Sequence, residues 1–101
     1  MKLSEHVSSQ AIALPINYKL SSTRVRALAR ALYIRHQKGL CYHCGKPLDE
    51  EPDKSLPIDE SRFPKGFFNN KIHLHHNHES QSTIGAVHAY CNAVLWEYHG
   101  E

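Results

Sequence analysis

Two stretches of this chain carry more reactive side chains than packing requires: Ile72-His73-Leu74-His75-His76-Asn77-His78 and His88-Ala89-Tyr90-Cys91-Asn92. Imidazole ionises near neutrality, so a histidine can take a proton from water at pH 7 or bind a metal through its neutral ring. Phosphodiester hydrolysis needs both: a base that deprotonates the attacking water, and a cation that neutralises the developing charge and the leaving oxygen. In this pattern His76 suits the base, and His75 with Asn92 on a facing helix suit the cation. Strand alternation puts His73 and His75 on one side and Leu74 and His76 on the other. An irregular strand end is therefore needed to bring His75 and His76 to one metal-water cluster. His73 and His78 are candidate auxiliary groups, and His99 reads as a surface residue.

A second constellation suits a different metal. Cys41-Tyr42-His43-Cys44-Gly45 puts two thiols three residues apart on a turn, and His88-x-x-Cys91 puts two more donors one helical turn apart. Two such pairs make a closed, four-ligand zinc site, with Cys41, Cys44, His88 and Cys91 as ligands and no open position for chemistry. Gly45 supplies the left-handed backbone such turns often take. His43 lies inside the turn and points away. A chain of 101 residues buries a limited core, so the metal would contribute much of the folding free energy.

The elements that must position these residues follow from pattern. Ser21-Ser22-Thr23 offers capping hydroxyls for a helix over about Ser22 to Gln37, with Gly39 as its stop. Val25, Leu28, Ala29 and Leu32 form its apolar face. Arg26, Arg30 and Lys38 fall opposite, with Arg24 and Arg35 flanking, and this set is the candidate DNA-contacting surface. Residues 1 to 20 show no period. From Pro47 to Asn70 the chain is acidic and proline-rich, with one short turn near Asp59 to Arg62 and Phe63, Phe67 and Phe68 pinning it to the core. Lys71 to His75 and Thr83 to Val87 alternate as a hairpin, and a helix starts near Ala89.

Net charge is +2, but residues 1–48 carry eight Lys or Arg against one Glu, and residues 49–101 carry four against nine acids. A basic half beside an acidic half fits a polyanion approached from one side. No apolar run is long enough to span a membrane and the N-terminus lacks the apolar segment of a secretory signal, so a cytoplasmic protein without a membrane partner is expected. Three cysteines, an odd number, favour metal thiolates over disulfides there.

Taken jointly, the knuckle, the histidine strand and Gly85-Ala86-Val87-His88-Ala89-Tyr90-Cys91-Asn92 resemble the HNH, or ββα-metal, endonucleases, most closely the recombination endonuclease VII branch found in phages. That branch has a Cys-x-x-Cys knuckle, a His-x-Asp-His-x-His strand and a Gly-x-x-Cys-x-x-Cys-Asn segment opening the helix. The resemblance covers residues 41–44 and 72–95. It implies an α+β, zinc-stabilised, treble-clef-like ββα-metal domain over residues 40–101, after an arm and basic helix over residues 1–39. It further implies His76 as general base, Asn92 as a cation-side residue, and His75 in the place of a metal-binding aspartate. His88 stands for a cysteine of the tetrad. The implied cofactors are structural Zn²⁺ and a catalytic Mg²⁺, Mn²⁺ or other divalent transition metal. The implied partner is double-stranded or branched DNA, cut by a monomer or homodimer. The chain ends without the long extension resolvases use to dimerise, which favours a small duplex-nicking or homing enzyme. The competing expectation is a zinc-finger module that grips nucleic acid without cutting it.

Overall fold

The structure, a computed structural model, describes residues 12–100. The first part of the N-terminal arm lies outside them. Helix α1 (Thr23–His36) begins where Ser22 accepts a hydrogen bond from the Val25 amide at 3.1 Å, satisfying one of the N–H groups the first turn leaves unpaired. It stops where Lys38 and Gly39 take positive φ values of 57° and 77°, letting the Gly39 amide reach back to the Ile34 carbonyl. The expected helix thus forms, one residue shorter at each end.

Ala29 of the expected stripe is fully buried and Val25, Leu28 and Leu32 are half-buried, as are Arg26, Arg30, Tyr33 and Gln37. Polar side chains join the helix to the hairpin. The Tyr33 hydroxyl bonds Thr83 Oγ1 at 2.9 Å, and the Gln37 amide accepts from the Ala86 N–H and donates to the Ala86 carbonyl, both at 2.9 Å. At the hairpin edge the Ala86 N–H finds its partner in the Gln37 side chain, while its carbonyl is shared between Gln37 and the Tyr42 amide.

The hairpin comprises β1 (Ile72–His76) and β2 (Thr83–His88), antiparallel, with Ile72 opposite His88, Leu74 opposite Ala86 and His75 opposite Gly85. The register shifts between His75 and His76, where His76 faces Thr83. Asn77 organises the turn: its Oδ1 accepts from the amides of Glu79 and Ser80 at 2.8 and 2.9 Å. Along β2, the segment before α1 adds a short bridge between Asn17 and Ser82. There the Thr83 amide donates to the Ile16 carbonyl at 3.1 Å and the Tyr18 amide to the Gln81 carbonyl at 2.7 Å. Helix α2 (Ala89–His99) continues directly from β2 and ends at Gly100, φ 73°. Among the described residues the result is a small α+β arrangement of two α-helices and a two-stranded sheet.

The acidic connection crosses the surface through one 3₁₀ turn, Glu60–Arg62, and is held as expected by aromatics. Phe63 packs against Phe67, Phe68 and Trp96 of α2 at centroid distances of 4.9, 5.8 and 5.4 Å, and the Tyr90 hydroxyl donates to the Leu56 carbonyl. One buried cluster gathers Cys41, Leu48, Ala86, Val87 and Cys91, with Tyr33, Ile34, Ile72 and Leu95 around it, and Ala29, Leu74, Ala89, Ala93 and Val94 are buried besides. Among the described residues no helix is long and apolar enough to cross a membrane.

Gly85 allows the helix and knuckle to close on β2. A Cβ there would stand 2.8 Å from Gln37 Oε1 and 3.0 Å from the Tyr42 ring. Gly85→Ala should therefore cost about 1–3 kcal/mol, as overpacking of an interior does, read as a lower urea midpoint of the zinc-loaded protein at unchanged slope.

Candidate functional site

The knuckle forms because its backbone pairs with itself: the Cys41 amide donates to the Lys46 carbonyl at 2.8 Å and the Gly45 amide to the Cys41 carbonyl at 3.0 Å, with Gly45 at φ 79°. The Tyr42 amide then reaches the Ala86 carbonyl at 2.9 Å, fastening the knuckle to β2. His88 ends β2 as the N-cap of α2, and Cys91 lies in the helix's first turn. These connections bring Cys41, Cys44, His88 and Cys91 together with every donor atom within 4.8 Å of the others. Among the described residues this is the one such group.

The donors fit a tetrahedral ion. Cys44 Sγ and Cys91 Sγ stand 3.5 and 3.7 Å from His88 Nδ1. Two ligands of a tetrahedral zinc, one sulfur and one nitrogen, are about 3.5 Å apart. The far side of the ring is settled too, since His88 Nε2 faces the carbonyls of Pro47 and Glu50 at 3.0 and 2.9 Å. Carbonyls only accept, so Nε2 carries the proton and the Nδ1 lone pair faces the sulfurs. The amides of His43 and Cys44 point at Cys41 Sγ from 3.4 and 3.5 Å and stabilise a thiolate. A hydrogen bond from Cys91, with those amides helping, draws Cys41 down to about 4. Sharing that proton, and then burial, pushes Cys91 up. The cluster can hold a structural metal such as zinc.

On the other side of β1 lies an open cavity of about 550 Å³. Its polar wall is His73, His76, His78 and Asn92; Arg30 and Arg62 supply positive charge, and Phe63, Phe67 and Trp96 an aromatic wall. Asn92 Nδ2 and His73 Nδ1 are 3.1 Å apart, and His73 Nε2 donates to the Phe67 carbonyl at 2.9 Å. Burial lowers the pKa of His73. Burial, then the neighbouring His78, lowers that of His76. Both rings are therefore neutral at pH 7.

The cavity brings together four of the five sequence-selected histidine and asparagine residues, leaving out His75. His75 is only 2 % exposed, opposite Gly85 on β2, and does not line the cavity. The register shift between His75 and His76 breaks strand alternation at the end of β1, and beyond it His76 lines the cavity with His73 while His75 stays buried. Of the basic set, Arg30 lines the cavity, whereas Arg24, Arg35 and Lys38 are exposed. Arg26 is turned inward, its Nε donating to the Tyr18 carbonyl at 2.7 Å. Sequence reasoning missed Tyr18 and Arg62. Tyr18 lies in a segment without period, and Arg62 sits in the acidic connection, so neither had a pattern to mark it. His43 and His99 are exposed, as expected.

Compared with known proteins, the chain matches no family model, no curated protein and no solved structure.

The purified protein should bind one Zn²⁺ per chain, and Co²⁺ in its place should give thiolate-to-cobalt absorption that His88→Ala weakens. Because Cys91 holds its proton more tightly than an ordinary thiol and must release it to the metal, zinc affinity should rise with pH. The expected slope is at least about tenfold per pH unit, measured by competition with a chromophoric chelator.

Proposed function

We propose that the chain is a metal-dependent endonuclease of the ββα-metal, treble-clef-like type that hydrolyses DNA phosphodiester bonds with His76 as general base. The observation that carries this reading is the meeting of His73, His76, His78 and Asn92 on one cavity whose wall also holds Arg30 and Arg62. A neutral His76 accepts the proton of the attacking water. The two guanidiniums grip phosphate oxygens in the fork geometry for which arginine is suited. The order strand, strand, helix, with metal donors from the knuckle and the helix start, supports the fold assignment.

The cation belongs on Asn92 and a histidine of β1. His73 fits better than His75, because it is beside Asn92 and His75 is buried away from the cavity. The 3.1 Å contact is a hydrogen bond from Asn92 Nδ2 to His73 Nδ1; with the amide turned over, Asn92 Oδ1 and His73 Nδ1 are the two atoms that would hold a cation there. The ion, when bound, neutralises charge on the phosphoryl and leaving oxygens. No Asp or Glu lines the cavity. Imidazole and amide ligands without a carboxylate suit Mn²⁺, Co²⁺ or Ni²⁺ better than Mg²⁺. Double-stranded or branched DNA is the substrate in this reading, and a reducing compartment such as the cytoplasm is where the thiolates persist.

That missing carboxylate is also the observation favouring a second reading, a zinc-held module that binds nucleic acid without cutting it. A plasmid-nicking time course on the zinc-loaded protein decides between them. The nuclease reading expects supercoiled DNA to relax with Mn²⁺, Co²⁺ or Ni²⁺ faster than with Mg²⁺. It also expects His76→Ala to lose about 10²–10⁴-fold in rate while DNA binding persists. Binding without cleavage by either protein selects the module.

The pH dependence follows from the lowered His76 pKa. The base stays neutral to below its ordinary 6.5, so activity should hold from neutral pH down past 6.5 before its acid limb. Folding stability has the same sign. Below pH 6.5 the unfolded chain protonates His73 and His76 more readily than the folded one, so stability should fall as pH drops through that window. Urea midpoints at a series of pH values, compared with those of a His73→Gln, His76→Gln variant, isolate this contribution.

A further inference from the structure

Tyr18 precedes α1 in a stretch with no strand or helix of its own, and hydrolysis does not call for a tyrosine. Its ring nevertheless stacks on the His76 imidazole, 3.9 Å between centroids and 8° from parallel. His78 stacks on His76 as well, at 4.7 Å and 17°. One face of a five-membered ring admits a single ring at such distances, so Tyr18 and His78 take opposite faces. Above Tyr18 lies the Arg26 guanidinium, 4.1 Å from the ring centre, and Arg26 Nε donates to the Tyr18 carbonyl at 2.7 Å. Arg26, Tyr18, His76 and His78 form a continuous column drawn from three separate segments.

We infer that Tyr18 is a positioning residue of this site: the segment before α1, clamped by Arg26 and docked on β2, supplies one wall of a slot that fixes the ring plane of His76. The inference rests on the reading of His76 as the base. The nitrogen lone pair of an imidazole lies in the ring plane. Covering both faces leaves that lone pair free and removes only the rotation that would swing it off target. His76 needs such support, because it follows the register shift and precedes exposed turn residues, where the sheet no longer holds a side chain. Both walls of the slot have a common anchor. The Tyr18 amide donates to the Gln81 carbonyl at 2.7 Å, and the Gln81 side-chain amide donates to the His78 carbonyl at 2.8 Å. The turn that carries His78 therefore also fixes Tyr18. A base must lie within hydrogen-bond reach of the water it deprotonates, and a displacement of about 1 Å costs on the order of a hundredfold in rate.

The test uses the full, zinc-loaded chain with Tyr18→Leu and Tyr18→Phe, read by NMR of the carbon-bound His76 ring protons and by nicking kinetics with Mn²⁺. Tyr18→Leu should abolish the upfield ring-current shift of the His76 protons. It should lower kcat by roughly ten- to a hundredfold with KM nearly unchanged and the same unfolding midpoint. Tyr18→Phe, which keeps the ring and loses only the hydroxyl, should restore both shift and rate. Wild-type kcat in a folded Tyr18→Leu protein would overturn the inference, as would His76 resonances that do not respond to it. Should the wild type cleave nothing, the nuclease reading fails by itself. The spectra still decide whether the slot exists: one fixed His76 ring orientation lost in Tyr18→Leu and regained in Tyr18→Phe supports it, and a freely averaging ring in the wild type sinks it.

Discussion

The cluster of Cys41, Cys44, His88 and Cys91, which could hold a structural metal, is the constraint on which the rest of the molecule depends. It joins the knuckle that follows α1 to the junction of β2 with α2, closing a loop of 43 residues between Cys44 and His88 whose interior is largely an acidic surface connection. Of the ten buried apolar residues among those described, two are cysteines of this cluster and four are alanines, so little apolar surface remains to hold these parts together without an ion. The geometry is prepared on both sides of His88, with carbonyls fixing the proton on Nε2 and sulfurs gathered at Nδ1. A metal bound there would set the direction in which α2 leaves the sheet, and with it the position of Asn92, one residue beyond Cys91.

What the metal fixes on one side, polar side chains fix on the other. Gln37 and Tyr33 act as substitutes for a neighbouring strand, pairing with Ala86 and Thr83 and so protecting the hairpin edge. The same row of α1 carries Arg30 into the cavity and Arg26 onto Tyr18. Helix α1 is thereby part of the cavity wall, and the segment before it is tied to β2 by an isolated bridge.

The charge separation seen along the chain acquires a spatial meaning. Asp49, Glu50, Glu51 and Glu60 line a second depression beside His88, on the metal side of the molecule. The histidine-lined cavity has arginines and no carboxylate. An anion is therefore favoured at the histidine-lined cavity over the acidic depression, a field that would suit a polyanion in the proposed reading.

Much of this was legible from residue types and spacing. The two donor pairs at three-residue spacing named the metal ligands, the caps and glycines bounded α1, and alternation located both strands within a residue. These are local properties, fixed by turn chemistry and side-chain period. Tertiary structure alone decided which histidines share a surface. A single register shift after His75 reverses the side on which the next residue falls, and no strand period encodes where such a shift occurs. It also decided how α1 meets the hairpin, through hydrogen bonds to Thr83 and Ala86, 50 and 49 residues away. Tyr18 entered the site by the same route, through pairing partners more than sixty residues distant in sequence.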